Sequence, residues 1–285
     1  MKSFVCALGL AAVSGALWAQ EFEVASIKVV DQKRLEQECQ NVQSGRRGGP
    51  GTENPLRVVY ECQPLQLLVL EAFGFADSEA FRIPNLEAKI EWTNFVNVRA
   101  IVPAGTSPAE YRALLRNLLA KRYNLKSHEE TREGDVYELS VFSGGHKLKS
   151  HVESSDEAKP VPSAARNARV GPDGLVGLAP VPGQVLATGR RDHWRVLGSD
   201  VPIQPLAERI EGILHAPVVD KTGLSGTFDF QLDFDPGYGA PADTGVGFPL
   251  LPTALRDQLG LAVKKTKGPV KIVLIDSIDP TPSEN

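Results

Sequence analysis

Three aspartates at alternating positions are the first candidates for chemistry in this sequence. Asp229, Asp233 and Asp235 lie in residues 227–235, which alternate polar and apolar side chains as a strand with one wet face does. Their carboxylates could bind a hard cation or act as a paired acid and base. Residues four apart on a strand are about 13 Å from each other, so only Asp233 and Asp235, about 7 Å apart, could cooperate. We therefore interpret the three as a solvated strand face.

The histidines and serines do not form a known catalytic or metal-binding motif. The five histidines are His128, His146, His151, His193 and His215. They lack the His-x-x-x-His or Cys/His spacing of a metal site, and we interpret His146 and His151 as solvated. The segment Gly223-Leu224-Ser225-Gly226 lacks the Gly-x-Ser-x-Gly spacing of a hydrolase nucleophile. The sequence thus predicts no catalytic residue, no metal ligand and no cofactor.

A glycine-rich loop beside two arginines is a candidate site for an anion. Arg46 and Arg47 precede Gly48 and Gly49, and cationic side chains next to glycine backbone can bind a negatively charged group. The Lys-Ser/Thr pair and the following helix of a nucleotide phosphate loop are missing. The alternative, which we favour, is a flexible loop held in place by a disulfide.

The N-terminus has the pattern of a cleavable secretion signal. One basic residue, Lys2, precedes an apolar run from Phe4 to Trp18, which is shorter than the roughly 20 residues that span a bilayer. Small residues at its end allow cleavage after Ala16 or Ala19. We predict a signal peptide at 1–19, a periplasmic or extracellular mature protein, and no transmembrane segment after cleavage.

The cysteine count agrees with export. Cleavage removes Cys6 and leaves Cys39 and Cys62, and an even number of cysteines in an exported protein predicts a disulfide. Such a bond closes a loop of about 24 residues and is worth roughly 3 kcal/mol in the chain-entropy model. Two unpaired thiols are the alternative.

The formal net charge of −4 limits the classes of partner. A mildly acidic chain is not expected to bind nucleic acid or an anionic membrane surface as its main partner. We predict an envelope or extracellular protein or ligand, whose identity the sequence does not give.

Elements with clear boundary signals predict an α+β fold. Residues 64–74 have helical spacing between a proline and a glycine, and Ser107-Pro108-Ala109-Glu110 is a capping box before an apolar helix face. Strands are expected at 125–130 and 136–142, joined by a turn at Glu133-Gly134-Asp135. The order predicts two split β-α-β-like halves, each a mixed sheet with two helices on one face. They span 20–149, which includes the cystine loop, and 192–285, and a Pro/Gly-rich linker or excursion at 150–191 separates them.

Several blocks resemble a family of exported proteins of unknown function from Solibacter-type acidobacteria. They are FEVASIK at 22–28, GGPGT at 48–52, LLAKRYNLKSHE at 118–129, VYEL at 136–139, PVVDKTGLSG at 217–226, QLGL at 258–261 and the final Ile275-Asp276. Domains similar to this family are attached to membrane metallopeptidase sensor proteins. The resemblance implies location and fold, and it implies no catalytic residue.

The second half is also similar to the small signalling domain that precedes secretins and some TonB-dependent receptors. That likeness implies docking to another protein in the envelope. The leading hypothesis is therefore a non-catalytic binding or protein-interaction module. Two alternatives are a secreted enzyme with a site assembled from scattered residues, and a sensory or inhibitory domain that acts on an envelope peptidase.

Overall fold

A computed structural model describes residues 21–40, 42, 44–151, 170–171, 174–237 and 248–283. The predicted signal peptide at 1–19 and part of the predicted linker lie outside these residues, so both stay predictions. The predicted α+β class is confirmed. The described residues of Met1–Gly74, Glu87–Lys126 and Asp276–Asn285 form one compact unit, and those of Phe75–Leu86 and Ser127–Ile275 form a second.

The first unit is built on an antiparallel sheet of four strands. These are β1 (Val24–Val29), β2 (Arg46–Gly48), β3 (Arg57–Pro64) and β4 (Phe95–Ile101), in the order β1-β4-β3-β2. Alternate strand residues face the core, and Val58, Tyr60 and Val98 are completely buried. The opposite face of the same strands is open, which sets the position of the candidate site.

Two helices of this part of the chain follow the predicted boundary signals. The helices of this part of the chain are α1 (Leu35–Cys39), α2 (Leu65–Phe73), α3 (Leu86–Lys89) and α4 (Pro108–Tyr123). Helix α2 ends at Gly74 in the left-handed conformation, as predicted. At the start of α4 the Ser107 Oγ accepts from the Glu110 N–H and the Glu110 carboxylate accepts from the Ser107 N–H, so the predicted capping box is confirmed.

The predicted disulfide between Cys39 and Cys62 is present. It joins the end of α1 to β3, at a point where the pairing of β3 with β4 shifts its register between Tyr60 and Gln63. Cys62 lies in this bulge with φ of +48°, a conformation that few residues other than glycine adopt. The bond therefore holds both a short helix and an irregular piece of strand.

The second unit contains the remaining strands, except for Lys126 at the start of β5 and Asp276 and Ser277 at the end of β11. A four-stranded sheet, in the order β6-β10-β8-β7, contains β6 (Lys149–Ser150), β7 (Gln184–Arg190), β8 (His193–Val201) and β10 (Phe228–Phe234). A three-stranded sheet, in the order β11-β5-β9, contains β5 (Lys126–Val141), β9 (Val218–Asp220) and β11 (Leu261–Ser277). Helices α5 (Ile203–Leu214) and α6 (Leu251–Ala254) supply apolar side chains to the same core as β8 and β10.

The predicted turn at residues 133–135 is wrong, because β5 continues through it as one strand of sixteen residues. Gly134 permits a close approach here: a Cβ at this position would lie 2.9 Å from Val270 Cγ2 of the neighbouring β11. The Asp135 carboxylate binds Lys265 and Lys267 of β11 at 2.8 and 2.7 Å. Gly134 and Asp135 therefore make contacts between β5 and β11. Glycine and aspartate are also common in turns, which is why the sequence predicts a turn here.

Candidate functional site

The open face of the first sheet forms a trough of about 950 Å³. The trough is lined by Val24, Ser26, Arg47, Gly48, residues 54–57, Val59, Glu61 and residues 99–101. Its floor follows the strand register, in which Ser26 pairs with Arg99, Arg99 with Val59, and Val59 with Arg47. We call this row of Ser26, Arg99, Val59 and Arg47 the central row. It crosses all four strands and places one arginine on each side of the valine.

Cationic and aliphatic side chains dominate the trough. Arg47, Arg57 and Arg99 line it, and Glu61 is the one acidic residue among its described lining residues. Lys28 lines a smaller hollow of about 450 Å³ that shares Ser26, Glu61 and Arg99 with the trough and also contains Glu38. Large aliphatic side chains are unusually exposed here, with Val24 at 58%, Leu56 at 51% and Ile101 at 38%.

The structure places the predicted anion-binding residues on two different faces. Arg47 points into the trough, whereas Arg46 reaches the helix side, where its guanidinium lies 5.2 Å from the Tyr111 ring centroid. The Gly49 N–H donates to the carbonyl oxygens of Asn54 and Arg57, both at 2.9 Å. The Gly49 N–H is thus already engaged within the β2–β3 connection and the start of β3. Anion binding stays a prediction, and of the two arginines only Arg47 lines the trough.

Gly48 is required by the tight path of the β2–β3 connection. Its φ is +77°, and a Cβ there would lie 2.1 Å from the Arg57 carbonyl oxygen. Arg47 and Arg57, on the two strands that meet at this close approach, both line the trough. The sequence showed the glycines and the arginines but not this relation.

A buried polar cluster lies behind the trough on the helix side. The Tyr60 hydroxyl is 2.9 Å from a Glu71 carboxylate oxygen and 2.8 Å from the Tyr111 hydroxyl. Arg46 Nε is 3.6 Å from the same carboxylate. Burial raises the pKa of Glu71 above its usual value, although the hydrogen bond from Tyr60 and the charges of Arg46 and Arg112 act in the opposite direction. Burial likewise raises the pKa of both phenols.

The Glu71→Gln variant is expected to become more stable, relative to the wild type, as pH rises from about 4 to 7. A carboxyl whose folded-state pKa exceeds its unfolded value binds more protons in the native state, so its contribution to stability falls as pH rises through the interval. Urea unfolding at several pH values measures the difference. Glu53→Gln, at an exposed loop position, is the matched control for the loss of one carboxylate. A difference that is constant with pH would contradict the raised pKa.

In the second unit the structure corrects the solvated-face interpretation at Asp233. Its side chain is 15% exposed and lies 2.6 Å from His193 Nε2 and 2.8 Å from Arg195 Nε. His193 is fully buried, and its ring stacks on Phe248 with the centroids 3.5 Å apart. Asp233 is paired with Arg195 in the register of β10 and β8, which the sequence alone does not specify.

The other two aspartates also have local partners. Asp229 lies 2.9 Å from His151 Nδ1 and accepts from the Asp200 N–H, so His151 is not simply solvated as predicted. Partial burial raises the pKa of Asp229, but hydrogen bonds from Asp200, His151 and Ser199, together with the charge of His151, lower it, and the net shift is downward. Asp235 accepts from the Gly237 N–H in a turn. These contacts indicate structural roles.

The remaining histidines are dispersed. His128 lies 2.9 Å from the Glu130 carboxylate, the His146 ring packs edge-on against Phe228, and His215 ends α5 in the left-handed conformation. Within the described residues, no three His, Cys, Asp or Glu side chains are arranged to bind a metal ion. The same part of the chain contains no helix with the length and apolarity needed to span a membrane.

Comparison with known proteins gives one match. A family model described as "Protein of unknown function (DUF3738)" matches residues 60–278. The matched region begins within β3, so it contains Glu61 and Arg99 of the trough but not Arg47. Neither a curated protein nor a solved structure matches the chain.

Proposed function

We propose that this chain, which belongs to the DUF3738 family of proteins of unknown function, is an exported binding module whose trough binds an acidic segment of a partner protein. The open trough of the first unit is the observation that carries the proposal. It combines three arginines with exposed aliphatic side chains on a chain whose formal net charge is −4. Arginine and apolar side chains together are typical of protein-binding surfaces.

Export is supported by the disulfide. Disulfides persist in oxidising compartments, and Cys39 is bonded to Cys62 here. The apolar run between Phe4 and Trp18 supports the same conclusion by its length and its basic start. Localisation in the periplasm or outside the cell is accordingly part of the proposal.

The shape of the trough favours a polypeptide segment over a membrane surface. A bilayer presents a nearly flat anionic surface, whereas the lining residues here enclose a concave volume of about 950 Å³. An extended segment is narrow enough to enter such a trough, and its alternating side chains repeat about every 7 Å. Aliphatic and cationic residues at neighbouring positions of the trough fit a segment that carries both apolar and acidic side chains.

The narrower sequence-based hypotheses are compatible with this proposal. The similarity to Solibacter-type exported proteins implies a location. The similarity to domains of membrane metallopeptidase sensors, and to the signalling domain before secretins and TonB-dependent receptors, implies an envelope protein as the partner. A sensory or inhibitory domain would use the same trough for a segment of its peptidase. The secreted-enzyme alternative stays a prediction from the sequence.

Removing the two arginines of the central row is expected to weaken binding of an acidic peptide about tenfold. Arg47→Gln together with Arg99→Gln deletes two positive charges that a ligand carboxylate would contact, each worth about 0.7 kcal/mol at an exposed site. The probe is a fluorescent peptide of about eight residues in which glutamate and valine take turns at every second position, with serine between them. Both side-chain types then lie on one face of the extended chain, which spans roughly 27 Å. Fluorescence anisotropy measures its affinity for the purified protein.

The matched control deletes two charges elsewhere in the same unit. Lys33→Gln with Arg34→Gln changes two exposed residues that do not line the trough, and it should leave the affinity within about twofold. A second peptide with lysine in place of glutamate should not bind. Equal losses in both variants, or no binding of the acidic peptide to the wild type, would contradict the proposal.

A further inference from the structure

We propose that Glu61 occupies, in the free protein, the place that a ligand carboxylate takes, so that an acidic segment binds by displacing Glu61 from Arg47 and Arg99. The inference rests on the proposed function and deepens it by naming the ligand group and its competitor. The ligand is then a polypeptide segment whose aspartate or glutamate side chains are flanked by aliphatic residues.

Glu61 lies between the two arginines of the central row. One carboxylate oxygen, Oε2, contacts Arg47 Nη2 on β2, and the other, Oε1, is 3.7 Å from Arg99 Nη2 on β4. A single carboxylate thus bridges cations from the strands on either side of β3. This is the arrangement that a carboxylate from outside would make with the same two guanidinium groups.

Three local features hold Glu61 in this position. The β3–β4 register shifts between Tyr60 and Gln63, and a bulge of this kind redirects a strand side chain. The next residue, Cys62, has φ of +48°, and its N–H donates to Asn97 Oδ1 at 2.8 Å. Cys62 is also bonded to Cys39. The backbone that carries Glu61 is therefore fixed at this point of β3.

The ion pairs of Glu61 are exchangeable because they are exposed. The side chains of Arg47 and Arg99 are 57% and 75% exposed, and that of Glu61 is 33% exposed. Exposed pairs contribute little to stability and are screened by salt. A ligand carboxylate can therefore replace Glu61 at small cost, provided that other contacts of the ligand add to its affinity.

Aliphatic side chains beside the row provide such contacts. Ile101 pairs with Val24 on β1 and with Arg57 on β3. It lies two residues after Arg99 on β4, on the same face of the sheet. Val24 and Ile101 line the trough together with the exposed Leu56. A ligand with an aliphatic residue two positions from its carboxylate would place that residue over this patch, because same-face neighbours are about 7 Å apart.

Replacing the competitor is expected to strengthen binding. In the anisotropy titration with the glutamate–valine peptide, Glu61→Gln should raise affinity by about three- to tenfold, because the arginines no longer have an internal carboxylate. Glu53→Gln is the matched control: it deletes the same charge beside the trough-lining Asn54. The change in peptide affinity caused by Glu53→Gln measures the effect of removing one negative charge near the trough. This change should stay within about twofold.

A double-variant cycle identifies direct competition. If Glu61 competes for Arg47 and Arg99, the gain from Glu61→Gln should shrink when Arg47→Gln is also present. It should fall to that of Glu53→Gln when Arg47→Gln and Arg99→Gln are both present. Equal gains in Glu61→Gln and Glu53→Gln, a loss of affinity in Glu61→Gln, or an undiminished gain without Arg47 would overturn the inference while leaving the proposed function intact. Failure of the peptide to bind any variant would instead contradict the proposed function.

Discussion

Replacing both bridged cysteines, Cys39→Ala with Cys62→Ala, is expected to lower the free energy of unfolding by about 3 kcal/mol. The disulfide closes a loop with a sequence separation of 23 residues, and its loss restores the freedom of that loop in the unfolded chain. The native structure also loses a link, because α1 and the bulge of β3 are joined through this bond. The trough depends on that bulge for the position of Glu61.

Urea unfolding of the oxidised protein, the reduced protein and the double variant measures this effect. The reduced wild type serves as the control, because it lacks the bond but keeps both sulfur atoms, and it should unfold close to the double variant. The buried site of Cys62, 5% exposed, accommodates alanine without placing a new polar group there. A destabilisation below about 1 kcal/mol in both forms would show that the loop is ordered by packing alone.

Asp233→Ala is expected to lower the free energy of unfolding by about 2–4 kcal/mol. Its Oδ1 oxygen lies near both His193 Nε2 and Arg195 Nε, and Oδ2 lies 2.6 Å from Gln231 Nε2. Removing the carboxylate takes a hydrogen-bond partner from the completely buried His193 ring. The cost of leaving a buried polar group without its partner exceeds the value of the hydrogen bond itself.

Asp192→Ala is the matched control for this effect. Asp192 also pairs with an arginine, Arg190, but the two side chains are 44% and 49% exposed. Exposed pairs of this kind contribute under about 1 kcal/mol, so the control should unfold close to the wild type. Denaturation followed by tryptophan fluorescence, to which Trp194 on the same strand as His193 contributes, gives both values. If the two variants lose the same stability, the Asp233 cluster is not a structural centre of the second unit.

The sequence predicted the elements whose signals are local. The capping box at Ser107 and the left-handed Gly74 fix the ends of α4 and α2 through contacts within a few residues. Polar–apolar alternation likewise located β1 and β10. The disulfide followed from counting cysteines under the assumption of export. In the capping box, the helix-ending glycine and the disulfide, the residues recognised in the sequence are the same residues that make the stabilising contact.

Features that depend on register between distant strands were not predicted. Arg47, Glu61 and Arg99 come together only because β2, β3 and β4 pair in one antiparallel register and β3 is bulged after Tyr60. A shift of one residue would move each of these side chains to the opposite face. Similarly, Gly134 was interpreted as a turn residue because its contact, Val270, is more than a hundred positions away.

The central claim, that the trough binds an acidic segment, is tested most directly by locating the bound glutamate–valine peptide on the protein. In a titration of ¹⁵N-labelled protein followed by NMR, the account predicts that the largest amide shifts fall on the central row, Ser26, Arg99, Val59 and Arg47. Shifts confined to the second unit, or spread evenly over the surface, would contradict it.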